Sequence, residues 1–339
     1  MAGDAIELEI DGRTVRITNP DKVFFSKRGE TKLDLIEFYL AVGDAMMPIV
    51  GGRPALLQRF PDGASGKSFF QKRVPKGAPD WLQTTVMSTP NGTTSHAIVL
   101  ADLAHVAWAV HMGSLCFHVW PHPAARPGVT DELRIDLDRG AGVGFDDVRF
   151  AAHRVRELLD ELGLRSWVKT TGSKGLHVFV KLAEEWDSYQ VRAAAVAAAR
   201  ELERRHPDRL TAAWWKEERG ERVFIDFNQN APHKTVFGTW SVRPRVGAQV
   251  SMPIRWQDVD DVVPDDLTIA VVPGLLDTEG DAWADFPWSP QRLEPLLEMS
   301  ERDLAAGLMD APWPPVYPKM PNEPPRVAPS RARASDGDR

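Results

Sequence analysis

The sequence predicts an α/β (α+β) chain in which mixed sheets are flanked by helices and entered through an N-terminal β-hairpin and helical module. Three observations predict it. Residues 5–18 alternate apolar and polar side chains on either side of Asp11-Gly12, a favoured two-residue hairpin turn. The middle of the chain interleaves short apolar runs with two longer helical stretches. The length of 339 residues, with 43% hydrophobic and 26% charged side chains, is ordinary for a globular chain that buries a large core.

After the hairpin, Asn19-Pro20 breaks the alternation. A helix is predicted from about Thr31, with Leu35, Ile36, Tyr39 and Leu40 on one face, and Gly51-Gly52 with Pro54 ends that section. Apolar runs at 97–109 and 114–120 read as strand or short-helix material, and a Pro-rich bend covers 121–127. LRIDLD at 133–138 is a strand; Asp146 or Asp147 is placed to cap a helix that Gly163 closes after Leu162. SWVKT is a strand, TGSKG a turn and LHVFVKL another strand, followed by an Ala-rich helix over about 187–206 and a strand within ERVFIDFN at 221–228. From 311 onward, eight prolines in 29 residues predict an irregular tail whose last dozen residues are disordered. No internal repeat is present.

Several classes are excluded or disfavoured. No stretch approaches the roughly 20 apolar residues of a membrane span, and the start MAGDAIELEI lacks the features of a signal peptide. The single cysteine, Cys116, rules out an intramolecular disulfide and a Cys-rich zinc site. A reducing cytoplasm is the expected location. The net charge of -7 argues against nucleic acid until its distribution is read. Residues 258–310 hold 14 Asp or Glu and two Arg, so the remainder carries +5. Residues 15–76 hold 11 Lys or Arg against 6 acids.

Four constellations carry chemistry. Asp136 and Asp138 lie two apart on a strand and so share a face, with Ile135 and Leu137 on the other. Asp226 sits in a second strand amid apolar neighbours. Paired carboxylates repel, and divalent cations resolve the repulsion; three on adjacent strands suit two cations about 4 Å apart for in-line phosphoryl transfer. A solvated strand edge is the plain alternative for D-x-D alone. The second constellation is Thr171-Gly172-Ser173-Lys174-Gly175-Leu176-His177. It joins strand to strand, unlike a Walker A loop. Its glycines, including Gly175, let backbone N–H groups approach a polyphosphate, Lys174 supplies charge, and Thr171, Ser173 and His177 supply donors. A polar hairpin turn and a core histidine are the alternatives. Third, Lys22, Lys32, Arg53, Arg59, Lys67, Lys72 and Arg73 surround Phe69-Phe70, a mixture that suits phosphates and stacked bases; the alternative is that one phenylalanine is core. Fourth, Arg219, Arg243 and Arg245 flank the third carboxylate in sequence and suit a triphosphate, or are solvated loop charges. The scattered tryptophans and Cys116 read as packing residues.

In this order, LRIDLD, KTTGSKGLHVFV and ERVFIDFNQNAPHKTVFGTWSVR resemble the polymerase domain of bacterial DNA ligase D, of the archaeo-eukaryotic primase superfamily, over roughly residues 5–310. The resemblance implies a primase-type catalytic core in one domain over 1–310. Its parts are a DNA- and 5′-phosphate-binding part at about 1–80, a metal and nucleotide core at about 95–257 and the acidic part at 258–310, before the 311–339 tail. It implies that Asp136, Asp138 and Asp226 bind two divalent cations, manganese or magnesium, and catalyse nucleotidyl transfer. Thr171, Lys174 and His177 fall where the family contacts the triphosphate; serine is commoner at the first position, and threonine keeps the hydroxyl. Arg219 and Arg243 match arginines near the phosphates, and His118 a histidine near the nucleotide sugar. Asn19, Lys22 and Lys32 resemble the pocket for a downstream 5′-phosphate, and Phe69 and Phe70 the pair that stacks on template bases.

The expected activity is template-directed addition of NTPs or dNTPs, preferring ribonucleotides, at short DNA gaps or breaks. Family ligases carry further domains, so this chain resembles a stand-alone relative. A separate ATP-dependent DNA ligase is the implied partner, with Ku a further candidate. Excision-repair gap filling and non-homologous end joining are both open, with gap filling favoured. The rivals are a metal-dependent nuclease or phosphoesterase, and a non-catalytic DNA-end-binding module that recruits a ligase.

Overall fold

The computed structural model describes residues 5–71, 73–75 and 77–327. Lys72 and the last dozen residues, both subjects of expectations above, lie outside the described residues.

The N-terminal hairpin pairs Ala5–Ile10 with Arg13–Thr18 in unbroken register. Its turn places Asp11 and Gly12 at φ 49° and 71°, the left-handed pair that a tight hairpin requires. The first helix, Lys32–Ala41, starts where expected. The Thr31 hydroxyl accepts from the Asp34 N–H, and the Asp34 carboxylate accepts from the Thr31 N–H. Leu35, Ile36, Phe38 and Tyr39 are its buried apolar face, whereas Leu40 is half-buried.

Two six-stranded sheets organise the rest. The first runs in the order Leu210–Thr211, Val223–Asp226, Thr130–Arg139, Leu176–Trp186, Trp167–Thr170, Pro253–Ile254. It is antiparallel except for the Leu210–Thr211 edge. Alternation along its strands decides what faces where. Leu133, Ile135 and Leu137 join Val178, Val180 and Ile225 in a core with the helices Phe145–Glu161, Ser188–Arg205 and Glu294–Ala305. Arg134, Asp136 and Asp138 therefore take the opposite face, with His177 and Phe179.

The second sheet runs Val236–Phe237, Ser114–Val119, Pro54–Arg59, Thr94–Val99, Thr84–Ser88, with Phe69–Gln71 added against Pro54–Arg59. Ala55, Leu57, Leu115, Phe117 and Val119 face a second core with Lys32–Ala41 and Leu103–His111. The other face carries Leu56, Gln58, Cys116, His118 and Trp120. The apolar run at 97–109 thus divides into the end of a strand and a helix that Asp102 caps.

Two expectations change. The helix after LRIDLD begins at Phe145 with Gly144 as its cap, and Asp147 serves from inside the first turn by accepting the Gly144 N–H at 3.1 Å. An acid three residues into a helix satisfies the cap from within as well as one before it. The Pro-rich segment to 327 is irregular, as predicted, but docked. Arg192 donates to the carbonyls of Ala311 and Pro312 and stacks 3.9 Å from the Trp313 ring, while Trp313 and Tyr317 pack on Ala231. No helix among the described residues is long and apolar enough to cross a membrane.

Candidate active site

The first sheet assembles a row of polar side chains across four strands. Asp226 is directly opposite Asp136, Asp136 opposite His177, and His177 opposite Lys169. Asp138, two residues on from Asp136, completes the cluster. One oxygen from each of Asp136, Asp138 and Asp226 lies within 4.8 Å of the others. The three aspartates singled out in the sequence are therefore brought together, and antiparallel register is what does it.

Burial dominates the electrostatics of the three carboxylates. Burial, then Asp136, pushes the Asp226 carboxyl up to about 7, although the Asn228 N–H and the Gln229 amide each donate to it at 2.8 Å. Burial pushes Asp136 up to about 6 against the pull of Arg243 and Lys169; burial and Asp136 push Asp138 up to about 6. His177 Nε2 lies 3.2 Å from Asp136 Oδ1, and burial with the nearby cations holds the imidazole neutral. Nδ1 is buried without a hydrogen-bond partner. His177 is thus a site residue whose immediate contact is a carboxylate.

The loop 171–175 closes one side of the cleft. Thr171 and Gly175 bond each other across it: the Thr171 N–H donates to the Gly175 carbonyl at 3.1 Å and the Gly175 N–H to the Thr171 hydroxyl at 3.2 Å. Gly172 holds φ 65°, and a Cβ there would lie 2.9 Å from Arg243 Cγ, so glycine is required on both counts. Arg243 donates to the Thr171 carbonyl and lies 3.7 Å from the Phe237 ring. Lys174 is exposed and Ser173 half-buried. A cleft of about 450 Å³ is lined by Asp136, Asp138, Thr171, Ser173, Lys174 and Arg243 among others. Arg219 reaches the carboxylates from the Val223–Asp226 side, stacked 3.6 Å from Phe224 and donating to the Ala213 and Trp214 carbonyls.

From the second sheet, His118 enters beside Phe237 and Phe70, with ring centroids 5.3 and 6.1 Å away. Burial and Arg243 hold its pKa down at about 4, so it is neutral. Phe69 and Phe70 are both about half exposed, at 48% and 52%, rather than one of them being core. Arg59 lies 5.3 Å from the Phe69 ring and bonds Gln71 at 2.7 Å.

Asn19, Lys22 and Lys32 also converge, though unequally. Asn19 turns the chain at φ 50° and its carbonyl accepts the Lys22 N–H. Lys32 is buried, its ammonium bonded to the Thr18 carbonyl; burial and then Lys22 push its pKa down. Lys22 is the exposed member, 3.2 Å from Asp62.

Arg53 departs from expectation. It is 3% exposed, paired with Asp131 at 2.7 and 2.8 Å and with Glu132 at 2.8 Å, so its guanidinium does not face a ligand. A charge flanked by Pro54 and the apolar Ala55–Leu57 run enters the core with that strand and must be matched there. Sequence reasoning also missed Lys169, which is fully buried and bonded to the Phe237 carbonyl and the Ser251 hydroxyl, and Gln229. The available signal for Lys169 was a lone charge inside the buried strand SWVKT, two residues before the loop.

Comparison with known proteins bears on this geometry. The family model described as the LigD primase-polymerase domain matches residues 31–283. The multifunctional non-homologous end joining protein LigD of Mycolicibacterium smegmatis is 35% identical over 272 residues, which cover 80% of this chain and 36% of that protein. The bifunctional LigD of Bacillus subtilis is 30% identical over 284 residues, 83% of this chain and 45% of that protein. This chain thus spans less than half the length of either. Among solved structures, the polymerase domain of Mycobacterium tuberculosis ligase D in complex with DNA superposes with a TM-score of 0.76 at 30% identity, covering 82% of this chain and 99% of that one.

Proposed function

The chain belongs to the LigD primase-polymerase domain family, whose members are polymerase-type nucleotidyltransferases, and from that premise we propose that it adds nucleotides to a DNA 3′-hydroxyl at short gaps or breaks bearing a downstream 5′-phosphate. The observation that carries this reading is the cleft that Asp136 and Asp138 share with the 171–175 loop, with a carboxylate oxygen of Asp226 within 4.8 Å of theirs, because hydrolysis alone needs no triphosphate cradle.

The donor set fits divalent cations. It offers three carboxylates with raised pKa values, all oxygen ligands, and no thiol. Asp136, Asp138 and Asp226 would hold two such ions, manganese or magnesium. When bound, the ions supply Lewis-acid activation of the hydroxyl and neutralise charge on the leaving pyrophosphate. The chain's own part is positioning. His177 packs against Asp136, with Nε2 3.2 Å from its carboxylate. Lys174 and the loop N–H groups receive the triphosphate, Arg243 and Arg219 offset its charge, and His118 stands where a ribose would be read. Phe69 and Phe70 offer a stacking surface for template bases, with Arg59 beside it, and Lys22 with Asn19 offers the 5′-phosphate contact. Ribonucleotide preference, a role in break repair and cooperation with a ligase in trans or with Ku belong to the same proposal.

The test is primer extension on a one- to three-nucleotide gapped duplex, with and without the 5′-phosphate, with Mn2+ or Mg2+ and with NTPs or dNTPs. The expected result is templated extension, stronger with NTPs and with the phosphate, lost in Asp136→Ala and Asp226→Ala while DNA binding persists. Primer shortening without nucleotide would identify a nuclease; binding without extension, an end-binding module.

A further inference from the structure

A second, more enclosed cavity of about 210 Å³ opens on the same face of the second sheet as His118 and Phe70. Its walls are Leu56, Met87, Ala97 and the Trp120 indole, a small apolar cluster separate from both main cores. Trp120 is 8% exposed, and its indole N–H is buried without a hydrogen-bond partner. A buried donor without a partner costs about 1–3 kcal/mol, so its persistence needs an explanation. At the rim, His233 holds φ 64°, rare for a non-glycine residue, and is pinned by its Nδ1 to the Ser88 carbonyl at 2.9 Å. That bond sets the proton on Nδ1 and leaves Nε2 as an acceptor.

The position is held from below. The Trp120 carbonyl accepts from Arg134 at 3.2 Å and from Arg53, and its N–H donates to the Pro54 carbonyl at 3.2 Å. The buried Arg53–Asp131–Glu132–Arg134 network, which no contact with a ligand accounts for, thus fixes the segment that carries this ring.

Register places the cavity relative to the cleft. Leu56 is opposite His118, and Gln58 is opposite both Cys116 and Phe70. Along one face the order is Phe70, then His118, then Trp120. From the Phe70 row to Trp120 is four residues, about 13 Å at 3.3 Å per residue. A strand stacked on Phe70 reaches the cavity within a few nucleotides.

We propose that this cavity receives one unpaired nucleobase of the DNA strand that lies along the cleft, stacked on Trp120 and read at its edge by polar groups at the rim. An aromatic-walled cavity lined also by Ser88, Ser95, Thr235 and His233 matches a base in chemistry, and the face it opens on is the one already proposed to hold DNA. The proposal rests on that nucleic-acid reading.

The test uses the full chain and duplexes with a single-stranded extension on either the template or the downstream strand. An abasic site is placed at each unpaired position in turn. The expected result is about a tenfold loss of affinity at one position of one strand, the scale of a single stacked base. That loss is absent in Ala97→Leu, which fills the cavity, and reduced in Trp120→Phe, which keeps the packing. 2-Aminopurine at that position changes its fluorescence on binding wild type but not Ala97→Leu. Templated extension across a fully paired one-nucleotide gap is unchanged in both variants, so the polymerase reading is judged separately. A uniform abasic profile in wild type, or an unaltered profile in a folded Ala97→Leu, overturns the proposal. A wild type that neither binds nor extends DNA overturns both readings.

Discussion

The carboxylate cluster makes a prediction that needs no nucleotide. Consider Asp226→Asn in the presence of EDTA. The Asp226 carboxyl is raised from 3.8 to about 7, chiefly by burial and then by Asp136. For an acid with a raised folded-state pKa, the folded state binds more protons than the unfolded one between those two values. Stability is therefore full below about pH 4 and falls as pH rises through 7. Three units amount to about 4 kcal/mol at most. Asparagine carries no charge at any pH and removes this penalty, and it relieves the repulsion on Asp136 and Asp138. Against that, Gln229 loses a carboxylate acceptor, at roughly 1 kcal/mol. The net expectation is that Asp226→Asn is about 3 kcal/mol more stable than wild type at pH 8 in EDTA, and no more stable at pH 4. Urea unfolding followed by tryptophan fluorescence reads this directly. Millimolar Mn2+ should reverse the order at pH 8, since only the intact triad gains binding energy on folding. A wild-type stability in EDTA that is flat between pH 4 and 8, or a variant less stable at pH 8, would refute the argument that the three charges are mutually uncompensated.

Other perturbations separate structural from site residues. Arg53→Met should lose about 3–5 kcal/mol in urea unfolding, because Asp131 and Glu132 are left buried and short of a partner; a loss under 1 kcal/mol would restore Arg53 to the surface role expected from sequence. Phe70→Ala should weaken binding of DNA with a single-stranded template by about 1–3 kcal/mol while leaving the melting temperature unchanged, since its ring is half exposed. Gly172→Ala combines left-handed strain of about 1–2 kcal/mol with a contact that displaces Arg243, so the nucleotide KM should rise without loss of DNA affinity. Equal KM values would show that Arg243 does not depend on the loop.

The legible part of the site was the part written locally. Asp136 and Asp138 announce themselves through alternation on one strand, and the Gly172 turn through its composition. That Asp226 meets them depended on pairing of strands some ninety residues apart, which residue patterns alone do not specify and which the family resemblance supplied. Lys169 and Arg53 show the limit. Each is a cation whose neighbours are apolar, and whether such a charge snorkels to the surface or is matched inside depends on what the next strand presents. For Arg53 that is Asp131 and Glu132, far along the chain. The same ambiguity hid Trp120, whose significance lies in a missing partner rather than in its type.

Charge illustrates why bulk composition misdirects. Three acids of the 258–310 block lie behind the first sheet, away from the cleft. Asp260 pairs with His153 at 2.9 Å, Asp310 with Arg192 at 3.0 Å and Asp303 with Arg200 at 3.6 Å, and those three partners stand on the helices packed against the back of the first sheet. Packed layers are about 10 Å apart, and the screening length at physiological salt is about 8 Å. Arg192 and Arg200 offset the acids they meet, so these pairs contribute little net field at the front. There Lys169, Lys216, Arg219 and Arg243 act on the carboxylates, with Lys174 in the loop beside them, so the local balance turns on whether the triad is occupied. Cations held by the triad would add positive charge and suit the face to a polyanion. The -7 of the whole chain and a nucleic-acid-binding face are thus compatible, because the sign that a ligand meets is set within one screening length of it.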